Sequence, residues 1–142
     1  MQVKDIMTDK VVTVSQEETV AVAARLLARY NIGSLPVVNA EGKLRGMVTD
    51  RDVVLRCVAL DEDPHAVKIS EIMSRRIISV HPEASAESCA ELMAASQIRR
   101  LPVERNGQVV GMVSLCDVAT KPSFTMEAAK ALSEISTNIR RK

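Results

Sequence analysis

Gly46-Met47-Val48-Thr49-Asp50-Arg51-Asp52 and Gly111-Met112-Val113-Ser114-Leu115-Cys116-Asp117 are two versions of one pattern. Each has a glycine, a short apolar run, a hydroxyl residue and, three positions later, an aspartate. Outward from these stretches the likeness continues. Leu35-Pro36-Val37 returns as Leu101-Pro102-Val103, and Asp5-Ile6-Met7 as Glu71-Ile72-Met73, both 66 residues on, whereas the glycines and aspartates are 65 apart. The missing residue falls between Asn39-Ala40-Glu41-Gly42 and the shorter Arg105-Asn106-Gly107. A length change confined to a glycine-containing turn is what two homologous hairpins tolerate. An internal repeat therefore organises the chain.

Each copy predicts the order β-α-β-β-α, giving an α/β (α+β) fold. Short β-prone stretches at 11–14 and 77–80 come first. Apolar residues then fall on one helical face: Val20, Ala23, Ala24 and Leu27, matched by Ala86, Cys89, Ala90 and Met93. Thr19 and Ser85 stand at the N-cap, with Ser15 and Glu18 as a competing capping-box start. Leu35-Pro36-Val37-Val38 opens a strand whose proline sits where a ladder donor is dispensable. Residues 43–49 and 108–114 return after the turn, and second helices follow from Val53 to Val58 and from near Asp117. The acidic, proline-containing stretch from Leu60 to His65 reads as a linker. A last helix begins near Thr125, with an apolar stripe of Ala128, Leu132, Ile135 and Ile139 and a basic end at Arg140, Arg141 and Lys142. The expected organisation is repeat 1 at 1–60, linker at 61–66, repeat 2 at 67–121 and the last helix at 122–142.

Composition narrows the function. Of 142 residues, 46% are hydrophobic and 26% charged, and 19 Lys+Arg stand against 18 Asp+Glu. That balance gives no support to binding of nucleic acid duplexes, and with no Trp, one Tyr and one Phe there is no stacking platform for single strands. Residues 1–10, MQVKDIMTDK, are too charged for a signal peptide, and no apolar run approaches the ~20 residues of a membrane span. Cys57, Cys89 and Cys116 form no C-x-x-C pair, and His65 and His81 lack ligand spacing, so neither a disulfide framework nor a metal site is expected. Reduced thiols in a cytoplasmic protein are the simplest reading. G-x-S-x-G, G-x-x-x-x-G-K-[ST] and H-E-x-x-H are absent, which argues against an enzyme.

The doubled motif supports two readings. In one, Thr49 and Ser114 are N-caps and Asp52 and Asp117 complete capping boxes. In the other, the same strand-to-helix junction offers backbone N–H groups and a hydroxyl to phosphate, while the carboxylate accepts from ribose hydroxyls. The glycine ahead of the junction lets a ligand or another backbone approach. Occurrence at matching places in both repeats raises the specificity of the pattern.

Asp5-Ile6-Met7-Thr8, Val12-Thr13-Val14, Ile32-Gly33-Ser34-Leu35-Pro36-Val37-Val38 and Gly46 to Asp52 together resemble a CBS (cystathionine-β-synthase) domain. Ile98-Arg99-Arg100-Leu101-Pro102-Val103 and Gly111 to Asp117 resemble a second one. The resemblance covers residues 1 to about 121. It implies two repeats packed about a pseudo-two-fold axis with two clefts between their sheets, as in a Bateman module. It also implies adenine-nucleotide or adenosyl ligands (AMP, ADP, ATP, S-adenosylmethionine or a dinucleotide), no required cofactor, and a homodimer. By position, Asp52 and Asp117 would hold ribose, and Thr49 and Ser114 would face phosphate. Thr13 and Ser79 would border the base, and the strands of Ser34, Leu35 and Pro36 and of Arg100, Leu101 and Pro102 would line the clefts. Arg99 and Arg100 would reach phosphate, where the first repeat has Gly33 and Ser34. The implied function is a non-catalytic sensor acting on a client protein, without nucleic acid or membrane. The alternative is an adaptor dimer with empty clefts that docks a partner.

Overall fold

The computed structural model describes residues 1–120 and 125–141, with side-chain surroundings in the last helix for 127–137. The family of mixed helices and small sheets predicted from the repeat is present, and the chain divides into two compact units. The first unit is Val12–Ile77 with Gly107–Val109. The second is Met1–Val11, Ile78–Asn106 and the chain from Val110 onward. The opening segment of the chain thus packs with the second repeat, and the stretch after the acidic linker packs with the first.

In the first unit, β1 (Val14–Ser15), β2 (Ser34–Val38) and β3 (Leu44–Thr49) form a sheet in the order β1-β2-β3. β1 runs parallel to β2, and β2 antiparallel to β3. Helices α1 (Val20–Tyr30) and α2 (Asp50–Arg56) and short 3-10 turns at Val58–Leu60 and Ile69–Glu71 complete it. Val20, Ala23 and Leu27 of α1 pack with Leu35, Val37 and Val48 of the sheet and with Ile69, Ile72 and Met73. Ala21 joins the buried face and Ala24 is only half-buried. Thr19 is the N-cap, but its side chain makes no capping bond. Instead Val20 N donates to Val67 O and Ala21 N to Pro64 O, each at 2.9 Å. Carbonyls of the linker region thereby satisfy N–H groups that every helix start leaves open. Asn31, in the left-handed conformation (φ 52°), ends the helix.

The expected strand at 11–14 is reduced to Val14–Ser15, paired with Val37 and Val38. The neighbour one step earlier on β2 is Pro36, which has no N–H to donate, so the ladder stops there. The second repeat repeats this. Instead of a strand at 77–80, only Val80 bridges, to Val103, beside Pro102.

The second unit holds α3 (Ala86–Ser96), the hairpin β4 (Arg100–Arg105) and β5 (Gln108–Ser114), α4 (Leu115–Ala119) and α5 (Thr125–Arg141). The tip of β5 is grouped with the first unit. Ser85 caps α3 by accepting from Ser88 N at 3.0 Å. Cys89, Ala90 and Met93 of α3 are buried with Leu101, Val103, Val113, Val118 and, from the chain start, Val3. α5 packs on α3 and α4. Its buried residues are Ala128, Ala131 and Ile135, while Leu132, expected on that face, is 45% exposed. Ile139 and the basic end lie outside the residues whose side chains are described. α2 and α4 start at Asp50 and Leu115, earlier than predicted, because Thr49 and Ser114 are themselves the N-caps.

Candidate functional site

Thr49 ends β3 in an extended conformation and its Oγ1 accepts from Asp52 N at 3.0 Å. In return Asp52 Oδ2 accepts from Thr49 N at 3.0 Å. Ser114 and Asp117 do the same, with Asp117 N donating to Ser114 Oγ at 3.1 Å and Ser114 N donating to Asp117 Oδ2 at 2.7 Å. Both sequence motifs are therefore capping boxes, a device contributing about 1 kcal/mol. The box also fixes the orientation of each carboxylate. One oxygen is held by the backbone and the other is turned away from it. Asp52 Oδ1 stands 3.9 Å from Arg56 Nε, and Asp117 Oδ1 meets no protein donor among the described residues.

Strand register gathers more of the first repeat's candidates. Ser34 pairs directly with Thr49, and Asp50 N donates to Gly33 O at 3.1 Å. Ser34, Thr49 and Asp52 therefore lie together where β3 turns into α2. The Ser34 Oγ is buried without a hydrogen-bond partner, a state costing roughly 1–3 kcal/mol until something satisfies it. Thr13 is exposed and precedes Val14, which places it level with Pro36. Leu35 and Pro36 are buried, Leu35 completely. Their side chains belong to the core, and only their backbone borders the junction.

The second unit has the same plan. Leu115 N donates to Arg99 O at 2.8 Å, bringing the start of α4 against the entry to β4. Ser79 is half-buried and precedes Val80, level with Pro102, while Leu101 and Pro102 are buried. Arg99 and Arg100 are exposed, and no carboxylate pairs with either among the described residues. Gln97, in the left-handed conformation at the end of α3, has a buried Oε1 without a partner. No residue pattern pointed to it.

The motif glycines answer to close protein neighbours, backbone at Gly46 and both side chain and backbone at Gly111. A Cβ on Gly46 would lie 2.2 Å from Ser74 O, and one on Gly111 would lie 2.5 Å from Met7 Sδ and 3.0 Å from Thr8 O. Ser74 pairs with Met47, and Thr8 with Met112, through N–H···O bonds in both directions. These pairings were not legible in the sequence. They add strand-like edges from segments read as leading the other repeat.

Two thiols are inert. Burial pushes the Cys57 thiol up, helped by the nearby Glu62 and Asp63 carboxylates. Cys89 is pushed up to about 12 by burial and by the charge of Asp117. Both stay protonated at neutral pH. Cys116 is exposed. Among the described residues no three His, Cys, Asp or Glu side chains gather as metal ligands, and no helix is long and apolar enough to cross a membrane.

Known proteins share this arrangement. The CBS domain pattern matches residues 3–58 and 69–123. The chain is 43% identical over 134 residues to the CBS domain-containing protein YhcV of Bacillus subtilis, covering 94% of each. Its fold is similar to that of Hypoxic Response Protein I, crystallised with two coordinated zinc ions, with a TM-score of 0.78, 33% identity, and coverage of 84% of this chain and 98% of that one. It is also similar to the CBS domain pair of protein MJ0100 in complex with 5'-methylthioadenosine and S-adenosyl-L-methionine. There the TM-score is 0.75 at 30% identity, over 84% of this chain and 94% of that one. With both repeats matched in sequence and in fold, the chain belongs to the CBS domain family and is a tandem CBS pair.

Proposed function

We propose that this CBS pair is a non-catalytic regulatory module that binds an adenosyl ligand at each strand-to-helix junction. Asp52 and Asp117 accept from ribose hydroxyls through the oxygen the capping box leaves over. Thr49 and Ser114 face the substituent on the ribose, Thr13 and Ser79 border the base, and the backbone of β2 and β4 lines the approach. The observation that carries this reading is the duplication itself: the same oriented carboxylate beside the same hydroxyl in two units. The adenosyl compounds held by the CBS pair of MJ0100 support it. The reading extends to a cytoplasmic protein whose signal is a change in its contact with a client.

A ligand that binds only the folded state at a hundred times its dissociation constant stabilises it by about 2.7 kcal/mol. In a chain of this size that is a rise on the order of 5–15 °C in melting temperature. Millimolar AMP, ATP, 5'-methylthioadenosine or S-adenosylmethionine should produce such a rise in thermal denaturation. Asp52→Ala should remove the response of one site and Asp117→Ala that of the other. A flat response across the panel in folded protein would leave the adaptor reading.

An exposed apolar patch favours self-association in either reading. Val54, Leu55, Val58 and Leu60 are 54%, 47%, 57% and 63% exposed. In the second unit α5 packs over α3 and α4, but among the described residues the first unit has no matching helix over α2. Two copies meeting through an isologous interface would cover the patch. Light scattering at tens of micromolar should give a dimer mass, and Leu55→Glu should shift it toward monomer. A wild-type monomer at that concentration would refute the interface.

A further inference from the structure

We infer that the two sites sort ligands by charge: the first takes adenosyl compounds without phosphate, and the second takes nucleoside phosphates. The inference rests on the proposed adenosyl-binding function and assigns a ligand class to each site.

The two units share a backbone plan but not their side chains. In the first, Gly33 and Ser34 enter the strand, and the helix opens with Asp50, Arg51 and Asp52. In the second, Arg99 and Arg100 stand in place of Gly33 and Ser34, and Leu115, Cys116 and Asp117 open the helix. The paired backbone bonds Asp50 N to Gly33 O and Leu115 N to Arg99 O establish that these positions are equivalent. Over these matched positions the first junction has two carboxylates and one guanidinium, the second one carboxylate and two guanidiniums, and Arg56 beside Asp52 offsets part of the negative charge of the first.

Asp50 matters most in the first site. Its Oδ2 lies 3.6 Å from where a Cβ on Gly33 would be, so a carboxylate sits against the glycine that replaces an arginine. The other oxygen accepts from Arg51 N at 2.8 Å. A phosphate brought here would meet that carboxylate as well as Asp52. A neutral thioether or a sulfonium cation would not be repelled. The buried, unpartnered Ser34 Oγ beside it offers an uncharged hydrogen bond, suited to a neutral ligand group. In the second site the backbone of Arg99 meets the start of α4, Arg99 and Arg100 are exposed, and among the described residues no carboxylate pairs with either guanidinium; planar forks of this kind bind phosphate oxygens in pairs.

Calorimetric titration of the full chain with ATP and with 5'-methylthioadenosine tests this. ATP is expected to bind one site per chain, with affinity falling as salt rises, since charge contacts at an exposed site are screened. 5'-Methylthioadenosine is expected to bind the first site with little salt dependence. Arg99→Gln with Arg100→Gln, both on the surface, should weaken ATP by on the order of tenfold or more and leave 5'-methylthioadenosine unchanged. Conversely, Gly33→Arg with Asp50→Leu should raise the ATP count from one to two per chain. Two equal ATP sites in the wild type, or ATP affinity unmoved by loss of both arginines, would overturn the charge sorting while leaving the adenosyl function standing. Absence of binding by either compound would overturn both.

Discussion

Removing residues 1–11 should loosen the second repeat and spare the first. Val3 is fully buried and Ile6 nearly so, both in the core of the second unit. Val3 N donates to Ala84 O at 2.8 Å and Lys4 N to Pro82 O at 2.9 Å. Met1 O accepts from Ala86 N at the start of α3, and Thr8 pairs with Met112. Burying two such aliphatic side chains contributes roughly 1.5–3 kcal/mol each, and each backbone bond adds about 1 kcal/mol. The sum rivals the 5–15 kcal/mol that holds a whole domain together. Hydrogen exchange on the truncated chain should show lost protection in α3, β4, β5 and α4, with α1, β2 and β3 keeping theirs. Equal losses throughout, or losses confined to the first repeat, would contradict the assignment of this segment. By the same logic, thermal shifts that depend on Asp117 should vanish before those that depend on Asp52.

Gly46→Ala should be among the most damaging single changes, costing about 3 kcal/mol. The added methyl would meet a backbone carbonyl, Ser74 O, at 2.2 Å, and that carbonyl accepts from Met47 N at 3.0 Å. Neither partner can yield without breaking the pairing, and overpacking of this kind costs typically 1–3 kcal/mol and occasionally more. A fall of about 10–15 °C in melting temperature is expected. Gly111→Ala should cost less. Its closest neighbour is the flexible tip of Met7, and the backbone oxygen of Thr8 is at 3.0 Å. Equal melting temperatures for Gly46→Ala and the wild type would show that the Ser74 edge is not held closely against β3.

Much of this was legible in the residues. Identical spacing of apolar positions placed α1 and α3, and the glycine turns placed both hairpins. Register was harder. Periodicity alone allows either Ala131 or Leu132 to follow Ala128 on the buried face of α5, and the structure buries the smaller residue. The first strands are shorter than their β-prone stretches because β propensity says nothing about whether the partner can donate, and Pro36 and Pro102 cannot. The exchange of leading segments left no distinguishing signature, since Val3, Ile6 and Met7 and their counterparts Ile69, Ile72 and Met73 offer either core similar apolar side chains. The S/T-x-x-D spacing at Thr49 and Ser114 announced a capping box, which the hydrogen bonds bear out. Its second use could not be read from spacing, because one geometry serves a helix cap and a sugar alike.

The exchanged segments also set an order of events on the ribosome. α1 donates hydrogen bonds to Pro64 O and Val67 O, and its sheet takes an edge from Ser74, so the first unit, apart from Gly107–Val109, is complete only once about residue 77 has emerged. Residues 1–11 leave the tunnel well before their partners, which run as far as Met112. At 5–20 residues per second, the apolar side chains of Val3 and Ile6 wait for roughly 5–20 s before a surface exists to receive them. During that interval the nascent chain carries an uncovered apolar segment while most of the first unit can already fold.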